Sequence, residues 1–108
     1  MKERKAAFFQ EVLLKTRAGR IRWQPTANDS AFCAIIPGGY AAGLASADSN
    51  GVERIALTLV ELGQTLLTVV SVTDVSEREM DELFALAQAQ TEQADSKVDT
   101  AIEALANL

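Results

Sequence analysis

Between Val52 and Val75 the chain reads VERIALTLVELGQTLLTVVSVTDV, two apolar runs around Glu61-Leu62-Gly63-Gln64. In the first run Ile55, Leu57 and Leu59 share one face, and Ala56, Thr58 and Val60 share the other. Runs rich in β-branched and apolar residues, joined across a Gly-containing turn, predict a hairpin. The second run is apolar on both faces, with Leu67 and Val69 on one and Leu66, Val70 and Val72 on the other. That pattern predicts a central strand with a layer packed on each side. A buried helix is the competing reading, against which Gly63 and the density of Thr and Val weigh.

The chain before this hairpin opens on a helical pattern over residues 3–17. Phe9, Val12, Leu13 and Thr16 recur at helical spacing, Ala6 and Phe8 widen the stripe, and Leu14 falls off it. Lys15 and Arg17 suit the negative end of a helix dipole, and Gly19 sits where a left-handed cap is wanted. Arg20–Gln24 alternates, with Ile21 and Trp23 apart from Arg20, Arg22 and Gln24, which predicts a short strand ended by Pro25. Ala31–Ile36 predicts a second strand, Phe32, Ala34 and Ile36 on one side and Cys33 and Ile35 on the other. Pro37-Gly38 fits the centre of a type II turn. Tyr40–Ser46 is an Ala- and Gly-rich third strand, and Asp48-Ser49-Asn50-Gly51 is turn chemistry.

After the hairpin, Ser76-x-x-Glu79 matches a capping box, with Asp74 the other candidate start, and Glu77, Glu79, Asp81 and Glu82 load the first turns with negative charge. Apolar or small residues then recur at Met80, Phe84, Ala87, Thr91, Ala94, Val98, Ala101, Leu105 and Leu108, in alternating steps of four and three. Leu83 and Ile102 thicken the stripe. With neither Pro nor Gly across residues 76–108, the region predicts one helix, ~45 Å long at 1.5 Å per residue, or two with a bend near Ala94 capped by Asp95 or Ser96. A domain of this size has a radius of gyration of only ~13 Å, so an unbroken helix would overhang its sheet. Val98, Ile102 and Leu105 then need cover, from the chain's own sheet or from another molecule.

Leu14-Lys15-Thr16-Arg17-Ala18-Gly19-Arg20-Ile21-Arg22-Trp23 resembles the opening of a group of small, poorly characterised bacterial proteins. Those chains carry a short helix, then Lys-Thr-x-x-Gly-Lys/Arg-x-x-Trp, a β-meander and a helical end. The resemblance implies a helix–meander–helix fold and brings no catalytic residues with it. The Ala/Gly-rich Gly39–Ser46 departs from that pattern.

Length and charge refine this picture. The 108 residues suffice for one domain and not two, and no run approaches the ~20 apolar residues of a membrane span. The basic, then apolar start is interrupted by Gln10, Glu11 and Lys15, unlike a signal peptide, so a cytoplasmic protein is expected. A single cysteine, Cys33, excludes an intrachain disulfide. The absence of histidine removes the usual general base and the commonest metal ligand. Net charge is −5, but residues 1–24 hold seven Lys/Arg against two Glu, and the rest hold three against thirteen Asp/Glu. Such a dipole invites an acidic partner at one end and a basic one at the other.

Candidate chemistry is sparse. Asp74, Glu77, Glu79, Asp81 and Glu82 point to different helix faces rather than converging as a hard cation requires, and read as a solvated first turn. Gly38-Gly39-x-x-x-Gly43 matches no nucleotide motif, although exposed N–H groups there with Arg20 and Arg22 would suit a small anion. Arg17, Arg20, Arg22 and Trp23 are the only basic-plus-aromatic set, in an acidic domain with a pI near 4.6, so nucleic acid is not expected. Trp23 reads as a core anchor and Cys33 as buried, inert packing. Asp48-x-Asn50-Gly51 lacks the rest of a calcium loop. Asn28-Asp29-Ser30 is a sequon without meaning outside secretion.

The expectation is a single α+β domain over residues 1–108: helix 3–17, an antiparallel meander of four or five strands over 20–73, and a helical region over 76–107. We expect no enzyme, cofactor or metal, but a binding or adaptor module acting as a homodimer or higher homo-oligomer. Its interface would use Met80, Phe84, Val98, Ala101, Ile102 and Leu105 against a sister chain or a protein partner. The alternative is a small-ligand binder that holds a nucleotide-like anion near Arg20, Arg22, Gly38 and Gly39.

Overall fold

Helix α1 (Lys2–Arg17) ends in a complete Schellman cap. The Arg20 N–H donates to the Lys15 carbonyl at 2.9 Å and the Gly19 N–H to the Thr16 carbonyl at 3.0 Å. Gly19 takes φ +73°, where a side chain would be strained. Five strands follow in chain order: β1 (Gln24–Pro25), β2 (Ala31–Ile36), β3 (Tyr40–Ser49), β4 (Val52–Glu61) and β5 (Gln64–Val70). Helix α2 (Glu77–Ala106) closes the chain as one unbroken element. This computed structural model describes residues 2–28 and 30–108, the side chains at 2, 49 and 94–96 excepted. The sequon's Asp29 therefore lies outside the described residues, as do the side chains of the candidate caps Asp95 and Ser96.

The sheet is an antiparallel meander in the order β1-β2-β3-β4-β5, so the expected α+β architecture is present. The Ala/Gly-rich stretch forms a full ten-residue strand, Gly43 pairing with Cys33 on one side and Thr58 on the other. Both long hairpins turn in two residues with positive φ at each: Asn50 and Gly51, Leu62 and Gly63. That is the type I′ signature, whose twist matches that of the flanking strands. Leu62 is the exception, a branched residue at φ +50° with its side chain 97% exposed. Leu62→Asn gives up no packing and removes part of the left-handed penalty. It is expected to add about 1 kcal/mol, a Tm rise of about 5 °C by calorimetry.

Alternation sends one face of the sheet inward. Phe32, Ala34, Ala42, Leu44, Ile55, Leu57 and Val69 are buried there. Against them α1 sets Phe9, Val12 and Leu13, and α2 sets Met80, Leu83 and Ala87. Phe84 meets Phe32 edge to face, ring centroids 5.2 Å apart. The buried hydroxyls are all partnered: Thr16 accepts from the Trp23 indole, Ser71 from the Ile55 N–H, and Thr91 donates to the Gln88 carbonyl.

Two strand expectations are corrected. Arg20–Gln24 does not form a strand; only Gln24–Pro25 pairs with β2, because the Trp23 N–H and the Ile21 carbonyl are bonded by Gln90 of α2 instead. β5 is an edge strand, not a central one, and among the described residues no second layer covers its outer face; Leu66 is 47% exposed. That outer face also displays Cys33, which is exposed rather than buried, and Ile35, 87% exposed. At the end of the edge strand, Asp74 takes both groups of Val70. Its carboxylate accepts the Val70 N–H and its own N–H donates to the Val70 carbonyl, each at 2.9 Å.

Polar bonds join the two helices. Gln10 donates to Glu79 at 2.8 Å, and Arg17 makes a two-pronged contact with Glu82 at 2.6 and 2.8 Å. Ser76 caps α2, accepting the Glu79 N–H as the capping box predicts. The hydrogen bonds from Gln10 and Ser76 hold the Glu79 carboxyl below its ordinary value, and those from Arg17 do the same for Glu82. A carboxylate with a lowered folded-state pKa adds stability above the unfolded value and loses it as pH falls through the folded one. Acidification below pH 4.5 is therefore expected to loosen the α1–α2 contact, and Glu82→Gln to flatten that part of the profile. The effect is small, because the groups are exposed.

Candidate functional site

The segment Lys15–Trp23 ties the helices to the sheet, and its residues have local jobs. Thr16 is buried at the last turn of α1, and the Trp23 indole N–H donates to its hydroxyl at 3.1 Å. The Schellman cap turns the chain between them. Gln90, from the middle of α2, clamps the loop with two bonds: its Oε1 accepts the Trp23 N–H at 2.8 Å and its Nε2 donates to the Ile21 carbonyl at 3.2 Å. No spacing in the sequence marks Gln90 for that role; it reads as one more polar residue on a helix.

Two hollows flank this clamp. The first, about 430 Å³, lies beside α1 with an apolar surface of Phe8, Val12, Ile21, Ile36 and Pro37. Glu11, Lys15 and Arg20 line it as well, all three exposed, so they stand at its rim. The second, about 300 Å³, is polar and runs past Gly19, Arg22, Trp23 and Gln24 to Gln90, Gln93 and Lys97 of α2. Arg20 and Arg22 thus line different hollows, two residues apart in sequence. Gly38 and Gly39 form the exposed β2–β3 turn at φ +98° and +85°. It is their neighbour Pro37 that reaches the first hollow, beside Arg20. The structure therefore brings Arg20 toward the β2–β3 turn and leaves Arg22 on the α2 side.

The helical stripe divides in two. Met80 is fully buried, and Phe84, half-buried, packs on Phe32, so both contribute to the chain's own core. The reason is that α2 lies along the sheet from its first turn to Thr91, the last buried residue among those described. Beyond it Val98, Ile102 and Leu105 are 57%, 58% and 68% exposed, with Ala101 exposed between them. The overhang stretches the molecule to 56 × 36 × 26 Å, with a radius of gyration of 15.3 Å.

Three of the five carboxylates around the start of α2 are engaged locally rather than gathered. Asp74 faces Lys5 at 3.6 Å, Glu79 accepts from Gln10, and Glu82 accepts from Arg17. Among the described residues no three His, Cys, Asp or Glu side chains converge as metal ligands. No described helix is long and apolar enough to cross a membrane. Set against known protein families, curated proteins and solved structures, the chain finds no match.

Proposed function

We propose that this protein is a non-enzymatic binding module of the cytoplasm that assembles with itself through the distal half of α2. One observation carries the reading: a helix that is packed on its own sheet as far as Thr91 continues with the same apolar period into solvent. Val98, Ile102 and Leu105 each gain roughly 1.5–3 kcal/mol on full burial, which this chain alone does not provide. Such a stripe, read at helical spacing by a complementary apolar surface, is a recurring mode of association. The resemblance of Leu14–Trp23 to small bacterial proteins of helix–meander–helix plan fits this reading and adds no chemistry to it.

The rival, an anion held jointly by Arg20, Arg22 and the Gly38–Gly43 loop, has less support, because the two arginines face separate hollows. Light scattering across a concentration series tests the proposal. A particle of twice the 11.6 kDa chain mass, or a higher multiple, is expected. A mass that stays at 11.6 kDa up to the solubility limit overturns it.

A further inference from the structure

Two surfaces of this chain lack partners, and their chemistry is complementary. One is the hollow beside α1, with Val12 buried at its base, apolar walls and Glu11, Lys15 and Arg20 at its rim, where the two cations outnumber the one carboxylate. Lys5 and Arg17 of the same helix are already paired, with Asp74 and Glu82. Among the described residues no ion pair engages Lys15 or Arg20. The other surface is the distal half of α2, where Val98, Ile102 and Leu105 stand exposed. Asp99 and Glu103 lie four residues apart along one flank of that stripe, and Lys97 is the only cation after Arg78.

We infer that the α1 hollow receives the distal half of α2 from a second copy of this chain, the two copies exchanging these helices reciprocally. The inference rests on the self-assembly reading above and names the receptor for its stripe. Among the described residues none of α2 lines this hollow within the chain, which leaves it open to α2 of a second copy. The aliphatic side chains seat on Phe8, Val12 and Ile36, while Asp99 and Glu103 approach Lys15 and Arg20. Opposite rim charges of this kind set register and speed encounter, and the apolar contact supplies the holding energy. Reciprocal exchange uses both surfaces of both copies, so the assembly closes as a two-fold pair rather than growing into a filament.

A charge-swap experiment on the full chain tests this. One variant carries Lys15→Glu with Arg20→Glu, the other Asp99→Lys with Glu103→Lys, and association is measured by sedimentation equilibrium. Each variant alone sets like charges against each other and is expected to dimerise at least tenfold more weakly than the wild type. In an equimolar mixture both interfaces regain opposite charges, so mixed dimers of near wild-type affinity are expected. Recovery on mixing also shows that both variants are folded. If the Lys15/Arg20 variant dimerises as tightly as the wild type while Ile102→Asp with Leu105→Asp is monomeric, the hollow is not the receptor and self-assembly through α2 stands. If the mixture stays as weak as its components, the reciprocal pairing is wrong. If the wild type never dimerises, this inference falls together with the self-assembly reading.

Discussion

Replacing Trp23 by alanine is expected to lower Tm by about 20 °C, as read by circular dichroism. The indole is 3% exposed and lies where the end of α1, the loop that follows and the middle of α2 meet. Deleting a buried aromatic side chain of this size costs about 3–5 kcal/mol through lost burial and the cavity left behind. The buried Thr16 hydroxyl also loses its donor, a further destabilisation. Small domains hold only about 5–15 kcal/mol in total, and in a chain of this size each kcal/mol moves Tm by about 4–8 °C. Trp23→Phe keeps most of the volume and loses only the N–H, so its decrease should be less than half as large. A fall of under 5 °C in the alanine variant would show that the clamp between α1 and α2 holds without its aromatic anchor.

Ile102→Asp with Leu105→Asp should produce the opposite pattern: a collapse of association with the fold intact. Neither side chain touches the core, so the Tm of the dilute protein is expected to stay within about 1 °C of the wild type. In the assembly each replaced side chain forfeits roughly 1.5–3 kcal/mol, and a carboxylate placed in an apolar contact is penalised further. Together these raise the dissociation constant at least 100-fold at about 1.4 kcal/mol per factor of ten. The same change at Met80, fully buried, would unfold the chain, so the contrast locates the division between the two halves of α2. An unchanged dissociation constant would remove the distal helix from the interface.

Periodicity made most of the architecture legible. Phe9, Val12 and Leu13 at helical spacing, and Ile55 with Leu57 at strand spacing, mark faces that are buried in the structure. Ser76 with Glu79 marked the start of α2 correctly. Pattern failed where hydrogen bonding, not hydrophobicity, decides the outcome. Arg20–Gln24 alternates like a strand, yet Gln90 takes the backbone groups that a neighbouring strand would need. An apolar residue on both faces of β5 looked like a central position, but pattern does not report sheet order, and Leu66 stands half open at the edge.

The candidate site was less legible because it is assembled from distant pieces. Phe8, Ile21 and Ile36 come from a helix, a loop and a strand, and no local signature announces that they share a hollow. Arg20 and Arg22, neighbours in a linear reading, line different hollows because the chain bends at Ile21 between them. The helical stripe is visible in full in the sequence; where its buried half ends is not, since Met80 and Val98 belong to one repeat and differ only in whether the sheet lies beneath them.

The β5 edge carries neither charge nor proline, the ordinary safeguards against a foreign strand. Asp74 supplies a substitute by occupying both backbone groups of Val70 from within the chain. Protection against amyloid-like stacking therefore rests, at that end of the sheet, on one carboxylate folding back over its own strand.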